Sequence, residues 1–336
     1  MMLLGRAARS GRRGTNGRMA FSSTTSPYLT TFYRDVNLIT SGPTNSPPFN
    51  QGRRLEWNPA GSLFAIAHVT SPFFSVYRDD GYGLSYLSGA LSENPAGNGQ
   101  DCAWNHDGTS VVVVHPNSPY LTIYNVSGES LTKLSDPGTL PANIGFSCDW
   151  NHDGSYMVVG HQAFPYLTIY SRSGDTFTKI ANPSSLPSGN SIGTRWNSAG
   201  TSLAVASLGS PYILIYNQSG STFTKLSDPA SLPTDSARAV GWSPNGTYLI
   251  VGFDASPYIH IYKRSGDTFA KLSDPASLPA GPVYDIGWRD DDCVAMAHNT
   301  SPYLTVYDRS GDTFTKLSDP SVLPPGNGRG IAWRPT

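Results

Sequence analysis

The seven tryptophans of this chain, Trp57, Trp104, Trp150, Trp196, Trp242, Trp288 and Trp333, follow one another at intervals of 47, 46, 46, 46, 46 and 45 residues. A fixed period of this length is the mark of a repeat architecture. A second series keeps step with the first: SPY or its variants recur at Ser26, Ser71, Ser118, Phe164, Ser210, Ser256 and Ser301. Seven units of about 46 residues take up nearly all of the 336 positions, so little is left for an inserted catalytic domain.

Within one unit, Ala239 to Pro279, the chain reads AVGW, SPNG, TYLIVGF, DASPY, IHIYKR, SGD, TFAKLSDP, ASLP. Four short β-rich runs alternate with turn residues, and no stretch keeps a helical period. The strands are a, ending at the tryptophan, b, c, beginning at the SPY, and d. The a–b turns (NPAG, NHDG, NHDG, NSAG, SPNG) and the c–d turns (SGD, SGE) put glycine where a positive φ is wanted. Such a sheet cannot bury both faces alone, whereas seven packed face to face around an axis can. The expectation is therefore an all-β, seven-bladed propeller of four-stranded antiparallel blades, with units starting near residues 53, 99, 145, 191, 237 and 283. The seven tryptophans are its structural core.

The chain ends just after a strand a (Gly328 to Trp333) and its repetitive part begins with strands b (Met19 to Ser23), c (Tyr28 to Tyr33) and a short d (Val36 to Thr40). The last blade, residues 19–49 plus 328–336, is expected to be closed by three N-terminal strands and one C-terminal strand, which removes free sheet edges. WSPNG at Trp242 to Gly246, followed by strand b and an aromatic-ended strand c, resembles the WD-repeat and related seven-bladed propellers. The Gly-His and Trp-Asp dipeptides of that family are absent, so its hydrogen-bonded tetrad does not carry over. The near-identical units SPYLTIYxRSGDTFTKLSDPxSLP also resemble repeats in propeller proteins of tailed bacteriophages, which implies a virion setting, with a cytoplasmic one otherwise.

Charge is nearly balanced overall, 23 Lys and Arg against 24 Asp and Glu, and no apolar run is long enough to span a membrane. The distribution is uneven. Arg6, Arg9, Arg12, Arg13 and Arg18 precede the first acid, Asp35, and leave 18 cations against 24 acids behind them. Residues 1–18 are read as a flexible basic arm that docks on an acidic partner or nucleic acid, residues 19–336 as the propeller. Mitochondrial targeting is a lesser reading of the same arginines, and Met19 is a second candidate initiator. Cys102, Cys148 and Cys293 form no CxxC pair, so neither a disulfide framework nor a zinc site is expected.

Chain direction puts the longer b–c and d–a loops on one rim, where partner contact is expected. His68, His115, His161 and His298 occupy one equivalent position at the end of strand b on that rim, as a pH-sensitive or metal site or as locally hydrogen-bonded groups. Tyr120, Tyr166, Tyr212, Tyr258 and Tyr303 of the SPY segments, with Asp136, Asp228, Asp274 and Asp319 nearby, serve either a lectin-like glycan site or blade packing. Asp290 to Asp292 and the His and Asp of the NHDG turns read as solvated turns. Asp149 with Arg195 and Arg54 with Asp101, at neighbouring equivalent positions, are expected to pair between blades. No GxSxG, HExxH or phosphate loop occurs. The function expected is thus a cofactor-free, metal-free, non-enzymatic scaffold displaying its loop rim to other structural proteins, with a glycan-binding propeller as the first alternative and a propeller lactonase as the second. A lactonase would show a deep axial pocket lined by non-repeated Glu, Asp, Asn and His.

Overall fold

The computed structural model describes residues 17–35, 38–44, 50–80 and 83–335 and contains seven four-stranded antiparallel sheets. Blade one runs Gly52–Trp57, Leu63–His68, Phe74–Asp79 and Leu84–Tyr86, and blades two to six repeat that order. The closing blade has Gly328–Trp333 as strand a, with Arg18–Ser23, Leu29–Asp35 and Leu38–Thr44 as b, c and d. Its first two strands pair Met19 with Trp333 and Phe21 with Ile331, so the ends of the chain share one sheet as the sequence implied. Its strand d starts two residues later than expected and is seven residues long.

Each strand a turns one face into an inter-blade core. Leu55, Cys102, Cys148, Thr194, Val240, Ile286 and Ile331, two residues before the tryptophans, are all buried. Six of the tryptophans are 3 to 8% exposed, and Trp288 is half-buried. In four of them the indole N–H reaches back one blade: Trp150 to the Ala103 carbonyl, Trp242 to Arg195, Trp288 to Gly241 and Trp333 to Gly287. A second clasp comes from strand c, where Tyr124, Tyr170, Tyr216, Tyr262 and Tyr307 donate their hydroxyls to carbonyls of the preceding d–a loop. Repetition of the sequence is therefore repetition of the inter-blade bond, which is why one period fixes the whole ring.

Strand c does not begin at the SPY. It begins one residue later, and the proline and aromatic residue form the b–c turn, with a cis Ser–Pro or Phe–Pro bond in all seven units. Tyr120, Tyr166, Tyr212, Tyr258 and Tyr303 sit at φ of 66 to 71°, the left-handed region that a bulky residue enters only under constraint. Hydrogen bonds hold them there: the Tyr120 N–H donates to the Asn117 carbonyl and the Tyr120 carbonyl accepts from His115 N–H.

Arg6, Arg9, Arg12 and Arg13 lie outside the described residues. Arg18 belongs to no arm: it opens strand b of the closing blade, is 2% exposed, and pairs with Asp79 at 2.7 Å. Its neighbour Met19 is buried beside it, so the basic character of the first eighteen residues hid one core arginine.

Candidate functional site

The inner edge of strand a faces the axis, and its sequence column is irregular. In blades three to six the strand carries a β-bulge that skips one residue of the ladder: Phe146, Ile192, Arg238 and Tyr284. Arg53 and Arg54 are skipped likewise in blade one and Arg329 in the closing blade. A bulge bends the strand and re-aims the extra side chain. Here it aims it at the axis, on the loop rim, where Arg53, Gln100, Phe146, Ile192, Arg238, Tyr284 and Arg329, four residues before their tryptophans, line a cavity of about 230 Å³ together with Arg54 and Leu208.

The cationic side of this mouth is ordered by ring contacts. The Arg329 guanidinium lies 4.4 Å from the centre of the Tyr284 ring and that of Arg238 lies 5.5 Å from it. Arg238 is also held in a two-point ion pair by Asp254, with Nη2 to Oδ2 at 2.6 Å. Arg53 and Arg329 have no carboxylate partner among the described residues. Burial, and then the Arg329 charge, push the Arg53 guanidinium below its ordinary pKa.

Below this ring the axis is plugged by buried ion pairs. Arg54 pairs with Asp285, and Arg195 stands 3.9 Å from Asp101. Each pair skips a blade: the direct contacts go to these acids rather than to Asp101 for Arg54 and Asp149 for Arg195, although the charges of the expected partners still act on one another. The acids are engaged otherwise: Asp101 accepts from Cys102 and Cys148 N–H, Asp285 from Ile286 and Ile331, Asp149 from Trp196 at 2.5 Å, and Glu56 from Trp104 at 2.8 Å. A carboxylate from one blade thus satisfies the unpaired inner edge of the next, the polar demand that burial of an edge strand creates.

Glu56, Asp149 and Arg195 line the opposite, turn-rim mouth, a cavity of about 470 Å³ edged by His106 and His152. The two imidazoles of the NHDG turns are 4.0 Å apart, and their aspartates cap Thr109 and Ser155. Burial raises Glu56 to about pKa 8 and Asp149 to about 6, against the opposing pull of Arg195. The folded protein keeps the Glu56 proton up to about pH 8, whereas the unfolded chain loses it near 4.5, so stability falls as pH rises between those values. Glu56→Gln keeps the acceptor for Trp104 and is expected to be more stable than the parent at pH 9 by on the order of 1–3 kcal/mol, with little difference at pH 5. Urea midpoints at the two values check it; an equal offset at both would refute it.

The histidine row is not a partner site. His68, His115, His161 and His298 are wholly buried between blades, each with Nε2 2.9 to 3.0 Å from a hydroxyl seven residues on: Ser75, Thr122, Thr168 and Thr305. They present nothing to a ligand. The five SPY tyrosines are half-buried, one to a blade. Of the aspartates near them, Asp228, Asp274 and Asp319 each pair at 2.5 Å with the lysine three residues before, and Asp136 faces Lys133 at 4.0 Å. Among the described residues no three His, Cys, Asp or Glu gather as a metal site.

The axial mouth was missed at the sequence level, although its signal was present. In units that are otherwise near copies, the column four residues before the tryptophan reads Arg, Gln, Phe, Ile, Arg, Tyr, Arg.

No protein-family model matches the chain, and no curated protein sequence does. Solved structures do. A candidate 6-phosphogluconolactonase from Bacteroides uniformis ATCC 8492 superposes with a TM-score of 0.75 at 14% identity, covering 95% of this chain and 99% of its own. The periplasmic gluconolactonase PpgL of Pseudomonas aeruginosa gives 0.69 at 13%, covering 94% and 98%. The β-propeller domain of Cps50 (Swd1) from Myceliophteria thermophila gives 0.61 at 10%, covering 84% and 90%. The likeness establishes the propeller fold. It also overturns the expectation of a non-enzymatic virion scaffold, because chains sharing this fold end to end include a gluconolactonase and a candidate 6-phosphogluconolactonase.

Proposed function

We propose that this chain is a propeller hydrolase that opens the ring of a small anionic lactone at the loop-rim mouth of its axis. One observation carries the reading. Arg53 and Arg329, half-buried in a narrow mouth and without a carboxylate partner among the described residues, offer two guanidinium groups to an anion, beside an Arg238 already fixed by Asp254. Guanidinium forks match carboxylate and phosphate oxygens in two-point contact. Like charges held together in partial burial are tolerable when a ligand neutralises them.

Lactone hydrolysis uses the same groups. Water adds to the ring carbonyl and makes an oxyanion, which a preorganised guanidinium stabilises more than it does the neutral ester. Asp254, bound to Arg238, takes the proton of the attacking water. The oxyanion then re-forms the C=O bond as the ring C–O bond breaks, and Asp254 returns its proton to the departing oxygen, giving the hydroxy acid. The reading supposes no metal. The lactonase structures support it through the shared fold, and the irregular axial column supports it because a catalytic site needs unlike residues at one point.

The experiment is a pH-stat assay of the protein against a panel of neutral and anionic lactones. Acceleration of at least one anionic lactone is expected. Arg53→Gln and Arg329→Gln are each expected to lower kcat/KM about 10²–10³-fold at unchanged thermal stability. A parent protein that accelerates no lactone, or arginine variants that keep full activity, would overturn the proposal.

A further inference from the structure

The loop-rim mouth is charged on one side only. Arg238, Tyr284, Arg329 and Arg53, from blades five, six, seven and one, are consecutive around the ring and make a cationic arc. Across the axis, Phe146 and Ile192 from blades three and four, with Leu208 from the b–c loop of blade four, make an apolar arc, and Gln100 of blade two stands between the two. All of these side chains are half-buried, so each is shielded from bulk water and still open to the cavity.

From this division we propose that the mouth selects an amphipathic anion: a lactone with its negative charge at one end and an apolar, ring-like body at the other, in preference to a polyhydroxylated sugar phosphate. The inference rests on the hydrolase reading above and narrows its substrate. The charged end is taken by Arg53 and Arg329. The body then lies against Phe146, Ile192 and Leu208, none of which carries a side-chain hydrogen-bonding group. A hydroxyl turned towards that arc gives up its water without gaining a partner, which weakens binding roughly tenfold or more for each such group. An aromatic or aliphatic body gains from the same contact, since apolar area leaves water on both sides. A cavity of about 230 Å³ leaves a polyol little room to keep its hydration shell. The cation of the opposite mouth, Arg195, already faces Asp101 and so does not compete for the anionic end.

The test separates the inference from its premise. Phthalate and 6-phosphogluconate are titrated by calorimetry into the parent protein, into Phe146→Ser/Ile192→Thr, into Leu208→Ser and into Arg329→Gln, with thermal midpoints confirming that each variant is folded. In parallel, 6-phosphogluconolactone and a carboxylated phthalide are offered as substrates. Phthalate, although less charged, is expected to bind at least tenfold more tightly than 6-phosphogluconate. The double variant and Leu208→Ser each shrink that ratio, and Arg329→Gln weakens both ligands. If 6-phosphogluconate binds as tightly as phthalate, or the ratio survives both apolar-arc variants, the selection is wrong while the hydrolase reading stands. If neither lactone is turned over and neither anion binds, the hydrolase reading itself fails and the inference goes with it.

Discussion

Asp79→Ala is expected to destabilise the protein by about 3–5 kcal/mol, a large share of what a domain possesses, because it strips the counter-charge from two arginines. The Asp79 side chain is fully buried at the end of strand c of blade one. Its Oδ1 accepts from Arg18 at 2.7 Å, and its Oδ2 from the Trp57 indole at 2.9 Å and from Arg334 Nε at 3.2 Å. Arg18 begins the N-terminal strand of the closing blade, Arg334 follows its C-terminal strand, and the Arg334 N–H donates to the Arg18 carbonyl. One carboxylate thus ties both chain ends to the first blade. No covalent link closes the ring, so loss of this tie acts on the least secured seam of the disc. Gly330 shows how close that seam is: a Cβ there would lie 2.4 Å from the Arg53 carbonyl oxygen. Denaturant unfolding of Asp79→Ala measures the effect, with Asp312→Ala, which breaks an exposed pair with Lys263, as a control expected to leave the unfolding midpoint nearly unchanged. A loss below about 1 kcal/mol for Asp79→Ala as well would dispose of the tie.

The second large effect is with acid. Desolvation by burial lowers His68, His161, His298 and His260 to about pKa 4, and lowers His115 in the same direction. The unfolded chain protonates its imidazoles near 6.5, so between about pH 6.5 and 4 the unfolded state binds more protons and stability falls as pH falls. Glu56, Asp149 and Asp101 work the other way over part of this range, since burial makes the folded state hold their protons. Five imidazoles outweigh three carboxyls. With each unit of pKa near 1.4 kcal/mol, and allowing for screening, the three buried histidines His68, His161 and His298 alone put on the order of 5–10 kcal/mol at risk. Unfolding below about pH 5 is expected at temperatures where the protein is stable at pH 7. His161→Ser, which installs the residue that blade four has there, Ser207, should lower stability at neutral pH and flatten the acid slope by about one proton. Urea midpoints between pH 4 and 7 decide this, and an unchanged slope would be fatal to it.

The same residues show why a site reading from sequence went astray. Four histidines in register looked like a crown because equivalent positions in a propeller form a ring. Whether a ring faces the axis, a rim or the next blade depends on strand twist and on the bulge in strand a. A pattern in the chain was available to settle it: wherever that position is His, a Ser or Thr stands seven residues later, and in blade five Phe253 is followed by His260 at that spacing, with the two rings 4.9 Å apart. Such paired variation marks contact across strands b and c, that is, packing. In the axial charges the sequence identified the participants and misplaced the partners. Arg54 and Arg195 reach over an intervening blade because Gly330 and Ser147, the small residues at that level in the skipped blades, leave the path open.

Period, strand count and the shared last blade were determined by the sequence alone, since hydrophobic alternation and turn chemistry are local and seven copies of a local rule give a ring. The candidate site was decided by tertiary structure. It lies in the residues that the bulges skip, which belong to no repeat motif and become neighbours only when blades far apart in the chain converge on one axis. Charge that is scattered along 277 positions, from Arg53 to Arg329, acts there as a single field.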